Sequence, residues 1–201
     1  MDNSEALENF RILLASIDRK VDGIELLHKS NDAFKVSAPL LNTVHEHCKG
    51  INTLLENQLE NPAFSLVRPL IETFLRGMWL TYCATEKQIS IFIKKDQILN
   101  GTKNVTLKDM ISQLNNIDKL PNELSKKTIK AMHSHTHGGM FKVTRNYDGE
   151  SVQPIYTNTE ISEVISVSSN IAFITFSEII ENSNLPNANK ESLIKEVRAL
   201  L

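Results

Sequence analysis

A chain of 201 residues is long enough for one well-filled core and short for two. Apolar residues make up 41% and charged residues 23%, ordinary globular proportions, while seven glycines and six prolines are too few for a loop-rich or all-β protein. A formal net charge of −2 gives no long-range pull towards polyanions, so general DNA binding is disfavoured and any nucleic-acid contact needs a local basic patch.

The expected architecture is all-α: a single-domain antiparallel bundle over residues 1–201, of about seven or eight helices, with a short β-hairpin or ordered loop near 140–156. The opening "MDNSEALENF" lacks the basic and then apolar layout of a secretory signal, and the apolar stretches read as too short to span a bilayer. A cytoplasmic protein without a membrane partner is expected. Cys48 and Cys83 each fall within an apolar helical pattern, which suits reduced core thiols better than a disulfide.

Leu7, Phe10, Leu14, Ile17, Val21 and Ile24 recur in steps of three and four, one stripe of a first helix. Leu41, Val44, Cys48, Ile51 and Leu55 repeat the pattern, and the polar stretch "KSNDAFKVSAP" reads as the connection of an antiparallel pair. A third helix should open with Asn61 as N-cap and Pro62 at its first position. Pro69 inside it removes one backbone bond and predicts a kink near Ser65.

Thr85 with Gln88 has the form of a capping box opening a fourth helix that runs to about Asn100 and Gly101, and Thr106 precedes a fifth. A sixth should run from about Asn122 through "ELSKKTIKAMHSHT" and stop at Gly138, a residue suited to the left-handed position after a helix. Asp148-Gly149 marks a tight turn. Thr157 with Glu160 opens a helix whose second half is apolar on nearly every side, and a short last helix follows "NLPNANKES".

Two constellations carry chemistry. In "AMHSHTHGGM" a helical rotation of about 100° per residue aligns His133 with His137 and turns His135 away. Two imidazoles fall short of the three or four ligands of a zinc site, even with His45 and His47 as outside candidates, so no metal or other cofactor is expected. Histidines in a last helical turn also serve as ordinary caps on the carbonyl end.

In "RPLIETFLR", Arg68, Glu72 and Arg76 stand at successive i, i+4 positions. Leu70, Ile71, Phe74, Leu75, Met78 and Trp79 crowd around this ladder and predict that part of it is drawn into the bundle. Buried charges are poorly explained by stability, so an arginine pair held by one glutamate is a candidate grip for an anion or phosphate, against an inert salt bridge.

"RPLIETFLRGMWLTYCAT", followed at a distance by "THGG" and Arg145, resembles a bacterial family of uncharacterised helical proteins close to the HEPN-like superfamily. The resemblance covers the third helix and the stretch from His133 to about Tyr156. It implies a helical bundle that dimerises and a metal-independent ribonuclease of a toxin–antitoxin or phage-defence system. The usual signature sets arginine several residues before histidine on one helix. Here only Lys126, Lys127 and Lys130 precede the histidines, and Lys130 with His135 or His137 has the spacing without the bidentate fork.

An arginine arriving from the third helix would complete such a site. The expected catalytic set is His137 with Arg68 or Arg76, helped by Glu72 and His133; Arg145, Lys130 and His135 are the expected ligand contacts, and RNA or another phosphate-bearing molecule is the expected partner. Histidine would move the 2′-hydroxyl proton and arginine would stabilise the phosphorane. The competing expectation is a binding module that recognises a nucleotide, a phosphorylated ligand or a protein without turnover.

Overall fold

The computed structural model describes residues 3–26, 32–117, 119–120 and 136–201. Eight helices occur among them: α1 (Asn3–Val21), α2 (Asp32–Glu56), α3 (Glu60–Tyr82), α4 (Glu86–Lys95), α5 (Leu107–Asn115), α6 (Met140–Thr144), α7 (Asn158–Glu181) and α8 (Asn187–Arg198). Strands β1 (Leu99–Asn100) and β2 (Lys103–Asn104) form a minimal antiparallel hairpin, with Leu99 opposite Asn104. The protein is all-α, as its composition predicts.

Helix α3 is the central rod. Eleven of its residues, from Ala63 to Leu80, are buried, because its apolar positions leave only a narrow polar edge. It packs most extensively on α2 and also meets α5 and α7. The α2–α3 crossing is close: a Cβ on Gly77 would stand 3.0 Å from Cδ2 of the fully buried Leu41, so a larger residue there would have to push the Leu41 side chain aside. Helix α1 lies chiefly on α7 and less on α2. Asn3 bonds Asn158 and Ser162 at one end, and Leu26 bridges Ser183 at the other, so α1 and α7 run in the same direction. Buried side chains from Ala6 to Val197 make one continuous cluster.

Three helix starts follow local chemistry. Thr85, Thr106 and Thr157 each accept the amide three residues on, while Gln88, Asp109 and Glu160 bond back to the cap amide. Thr157→Ala should cost about 1 kcal/mol, read as a lower urea midpoint at unchanged slope. A cost near zero would show that the α7 start is held by packing alone.

Other boundaries depart from expectation. Helix α2 begins at Asp32 and contains Pro39, so most of the expected connection is helical. Burial of Ala33 and Phe34, and a 2.8 Å bond between the Ser37 and Thr81 hydroxyls, offset the local fault. Helix α3 starts at Glu60 after Leu59, which makes no side-chain cap bond; Asn61 is not its cap. Helix α4 stops at Lys95, where Asp96 turns left-handed at φ 52°, and the chain beyond forms the hairpin around Gly101. Helix α8 begins at Asn187, inside the stretch expected to precede it.

The sixth helix expected over 122–137 falls mostly outside the described residues, although Thr136 is helical and Gly138 has the left-handed φ of 69° expected at the stop. Beyond it, 140–156 holds the one-turn α6 and a bend closed by a single Tyr147–Val152 bridge across Asp148-Gly149. Helix α7 is long and apolar enough to cross a bilayer, contrary to the sequence reading, but 67% of its apolar window is buried inside the bundle.

Candidate functional site

The polar edge of α3 carries Asn61, Ser65, Arg68 and Glu72, which fall within about 60° of arc because their spacings of four and three alternate around the 3.6-residue turn. Pro69 has no N–H, so the Ser65 carbonyl lacks its normal helical donor. That carbonyl instead accepts the Thr136 hydroxyl at 3.4 Å, and the Ser65 hydroxyl accepts from Lys142 Nζ at 3.2 Å. The proline fault therefore serves as a docking point for the chain from Thr136, at the end of the histidine run, to Lys142.

One turn back, Asn61 and Asn146 exchange side-chain amide bonds, and Asn61 Oδ1 also accepts the Tyr156 hydroxyl at 2.8 Å. The Tyr156 ring lies 4.2 Å from Phe64, centroid to centroid. Burial, with the Glu160 charge, pushes the Tyr156 hydroxyl up to about 12, so it stays protonated and donating. These contacts seat residues 136–156 on the N-terminal half of α3.

Arg68 sits one turn further along. Its Nε bonds Glu72 Oε1 at 2.6 Å, and both side chains are about three-quarters covered. Its Nη1 is buried with no hydrogen-bond partner among the described residues, an unmet donor on a fixed cation. Arg76 does not complete the ladder: it is exposed and has no ion pair among the described residues. Two i, i+4 steps advance about 12 Å along the axis and about 80° around it, which carries Arg76 away from the turns where 136–156 docks.

His137 is exposed and follows Thr136 directly, so the docking of Thr136 on the Ser65 carbonyl keeps it beside the N-terminal half of α3. Lys130, His133 and His135 lie outside the described residues. Arg145 is engaged elsewhere: its Nε and Nη2 both bond Glu160 Oε1, at 2.7 and 2.5 Å, tying the loop to α7. Partial burial pushes the Glu160 carboxyl up, but the Thr157 amide and Arg145 outweigh it and hold the group below the usual carboxylate range.

A lowered folded value means that Glu160 stabilises the fold above its unfolded value and ceases to do so as pH falls through the folded one. Acidification below about 4.5 should therefore release this tie. The protection factor at Ile155, whose N–H bonds the Arg145 carbonyl at 3.0 Å, taken against the intrinsic exchange rate at each pH, should fall there in the wild type and be low already at neutral pH in Glu160→Gln. Equal protection in both proteins would show that the ion pair does not hold the loop.

His45 is buried on α2 and bonds Asp18 of α1 at 2.8 Å, so it joins two helices. Cys48 is a buried free thiol, raised by burial, and packs against the Ser168 carbonyl; Cys83 is also free. No group of three His, Cys, Asp or Glu side chains suited to a metal forms among the described residues. Asn61, Ser65, Lys142, Asn146 and Tyr156 were not read in the sequence as residues of the site; Pro69, four residues after Ser65, signals an open carbonyl there.

Fold and face together define a helical bundle with an arginine–glutamate edge against which a histidine-bearing segment is docked. Residues 41–196 match the family of unknown function DUF6988, and the chain belongs to that family. The match spans both halves of the face. No curated protein and no solved structure matches the chain.

Proposed function

We propose that the protein is a HEPN-like, metal-independent endoribonuclease of the toxin–antitoxin or phage-defence kind, acting in the cytoplasm through Arg68, Glu72 and His137. The observation that carries this reading is the Arg68 Nη1, a buried donor with no hydrogen-bond partner among the described residues, one turn of α3 from Ser65, where Thr136, the neighbour of His137, docks. A non-bridging phosphate oxygen suits that donor, and Glu72 on Nε fixes the plane of the fork.

In the step proposed, His137 takes the proton of an RNA 2′-hydroxyl, and the 2′-oxygen attacks the adjacent phosphorus. The bond to the 5′-oxygen breaks as the 2′,3′-cyclic phosphate forms, and the departing oxygen takes a proton from solvent. Arg68 stabilises the charge on the equatorial oxygens. No cofactor is required.

A second reading has its own support. Arg68 and Arg145 are each held by a carboxylate, which moderates their charge and suits recognition of a nucleotide, a phosphorylated ligand or a protein without turnover. Incubation with a mixed RNA pool in excess chelator separates the two. Cleavage that disappears in folded His137→Ala and Arg68→Ala but survives in Arg76→Ala supports the ribonuclease. RNA bound and left intact supports the binding module, and loss in Arg76→Ala alone moves the phosphate contact to the exposed guanidinium.

A further inference from the structure

The cations around Ser65 differ in how their charge is met. Arg68 is paired with Glu72 and Arg145 with Glu160, while Lys142 has no carboxylate partner among the described residues. Its ammonium donates to the Ser65 hydroxyl at 3.2 Å, and that hydroxyl gives its own proton to the Asn61 carbonyl at 2.8 Å, so a lone pair faces the lysine. The Thr136 hydroxyl meets the carbonyl of the same serine at 3.4 Å. Thr136 and Lys142 therefore close on one residue of α3, and His137 stands in the chain between them.

The ammonium is held from its own side as well. Lys142 lies in the middle of α6, its carbonyl accepts the Asn146 side chain at 2.7 Å, and Asn146 and Arg145 tie the end of that helix to Asn61 and Glu160. One bond to a neutral hydroxyl leaves two of its three N–H groups unspent. A carboxylate beside an ammonium holds its proton more firmly than a neutral oxygen does.

The proposed cleavage needs such a group for its last proton. His137 enters as the base and so is neutral, and the departing 5′-oxygen, a strongly basic alkoxide, must gain a proton as its bond to phosphorus breaks. Of the described groups at this end of α3, the guanidinium groups of Arg68 and Arg145 do not release protons. The Tyr156 hydroxyl is committed to Asn61 Oδ1, and those of Ser65 and Thr136 to carbonyls. Lys142 has protons to give and a fixed place from which to give them.

We infer that Lys142 is the general acid of the proposed ribonuclease. The bond between phosphorus and the 5′-oxygen breaks as an ammonium proton passes to that oxygen, which leaves as a hydroxyl. The neutral amine then regains a proton from water, so solvent supplies the proton by way of the lysine. The inference rests on the ribonuclease reading and adds a second proton-transfer group to it.

Single-turnover cleavage in chelator tests it, on an RNA from the mixed pool synthesised with either the natural 5′-oxygen or a 5′-sulfur at its mapped cleavage site. A thiolate is a good leaving group without protonation. Lys142→Met should cleave the oxygen strand about 10²- to 10⁴-fold more slowly than the wild type, and the sulfur strand at close to the wild-type rate. His137→Ala should be slow on both strands, since sulfur does not replace the base. Lys142→Arg keeps the charge but withholds its proton, so it should show the same selectivity, and it carries the test if Lys142→Met melts below the wild type. Equal losses on the two strands in a folded variant would mean that the lysine supplies charge or position and not a proton, and a wild-type rate on the oxygen strand would remove it from the reaction. Either result overturns the inference, while cleavage by the wild type keeps the ribonuclease reading. If the wild type cleaves nothing in the pool, both fall together.

Discussion

His137→Ala should lower metal-independent RNA cleavage by about 10²- to 10⁴-fold, the usual contribution of a positioned acid or base, and leave the melting curve in place. The unchanged stability follows from exposure: the side chain stands outside the core, where substitutions stay within about 0.5 kcal/mol. On the proposed mechanism Arg68→Gln should cost about 10²- to 10³-fold, because the guanidinium fork proposed to meet the phosphate is lost while a polar group remains. Arg68→Lys should recover only part, since an ammonium cannot bond Glu72 and a phosphate oxygen in one plane. If the two residues act on one phosphodiester, the double variant should be little worse than His137→Ala alone. Activity that multiplies down across the two losses would mean that they work on separate events, and activity unchanged in His137→Ala would remove histidine from the reaction.

What could be read from the sequence was what depends on residues close together in the chain. The boxes at Thr85 and Thr157 and the helix start at Thr106 depend on residues three apart, and the α2 stripe from Leu41 to Leu55 needs only the helical repeat; all of them form as read, and Thr106 also closes a box with Asp109. The site was harder because its contacts are long-range. Asn61 looked like a cap because Pro62 follows it, yet its amide is taken by Asn146 and Tyr156, 85 and 95 residues away. Pro39 looked like a break for the same reason, and burial of Phe34 overrode it. The Arg68–Glu72–Arg76 ladder was correct as spacing and incomplete as structure, since periodicity gives the angle around a helix but not which turns a neighbouring segment covers. Thr136 and Lys142 cover the turn at Ser65, which separates a shielded Arg68 from an exposed Arg76.

Trp79→Ala should be the most damaging single truncation of the fold, at about 3–5 kcal/mol. The indole is 1% exposed on the turn of α3 that follows the close crossing at Gly77, and its Nε1 donates to Gln113 Oε1 on α5 at 3.0 Å. Removing it opens a void between elements that cannot close together, because α3 is already fixed against α2 through Gly77 and Leu41. Trp79→Phe separates the contributions. It keeps most of the packing and loses the indole donor, and Gln113 is exposed enough for water to replace that bond, so the loss should be well under half that of alanine. Against a typical total of about 5–15 kcal/mol, the alanine variant should melt many degrees lower yet still fold in the cold, and urea titration at constant slope measures both variants. Because Arg68 and the docking turn at Ser65 lie on the other half of the rod, the folded fraction should keep its RNA affinity. A Trp79→Ala protein that loses less than about 1 kcal/mol would mean that the indole is not a packed element of the core.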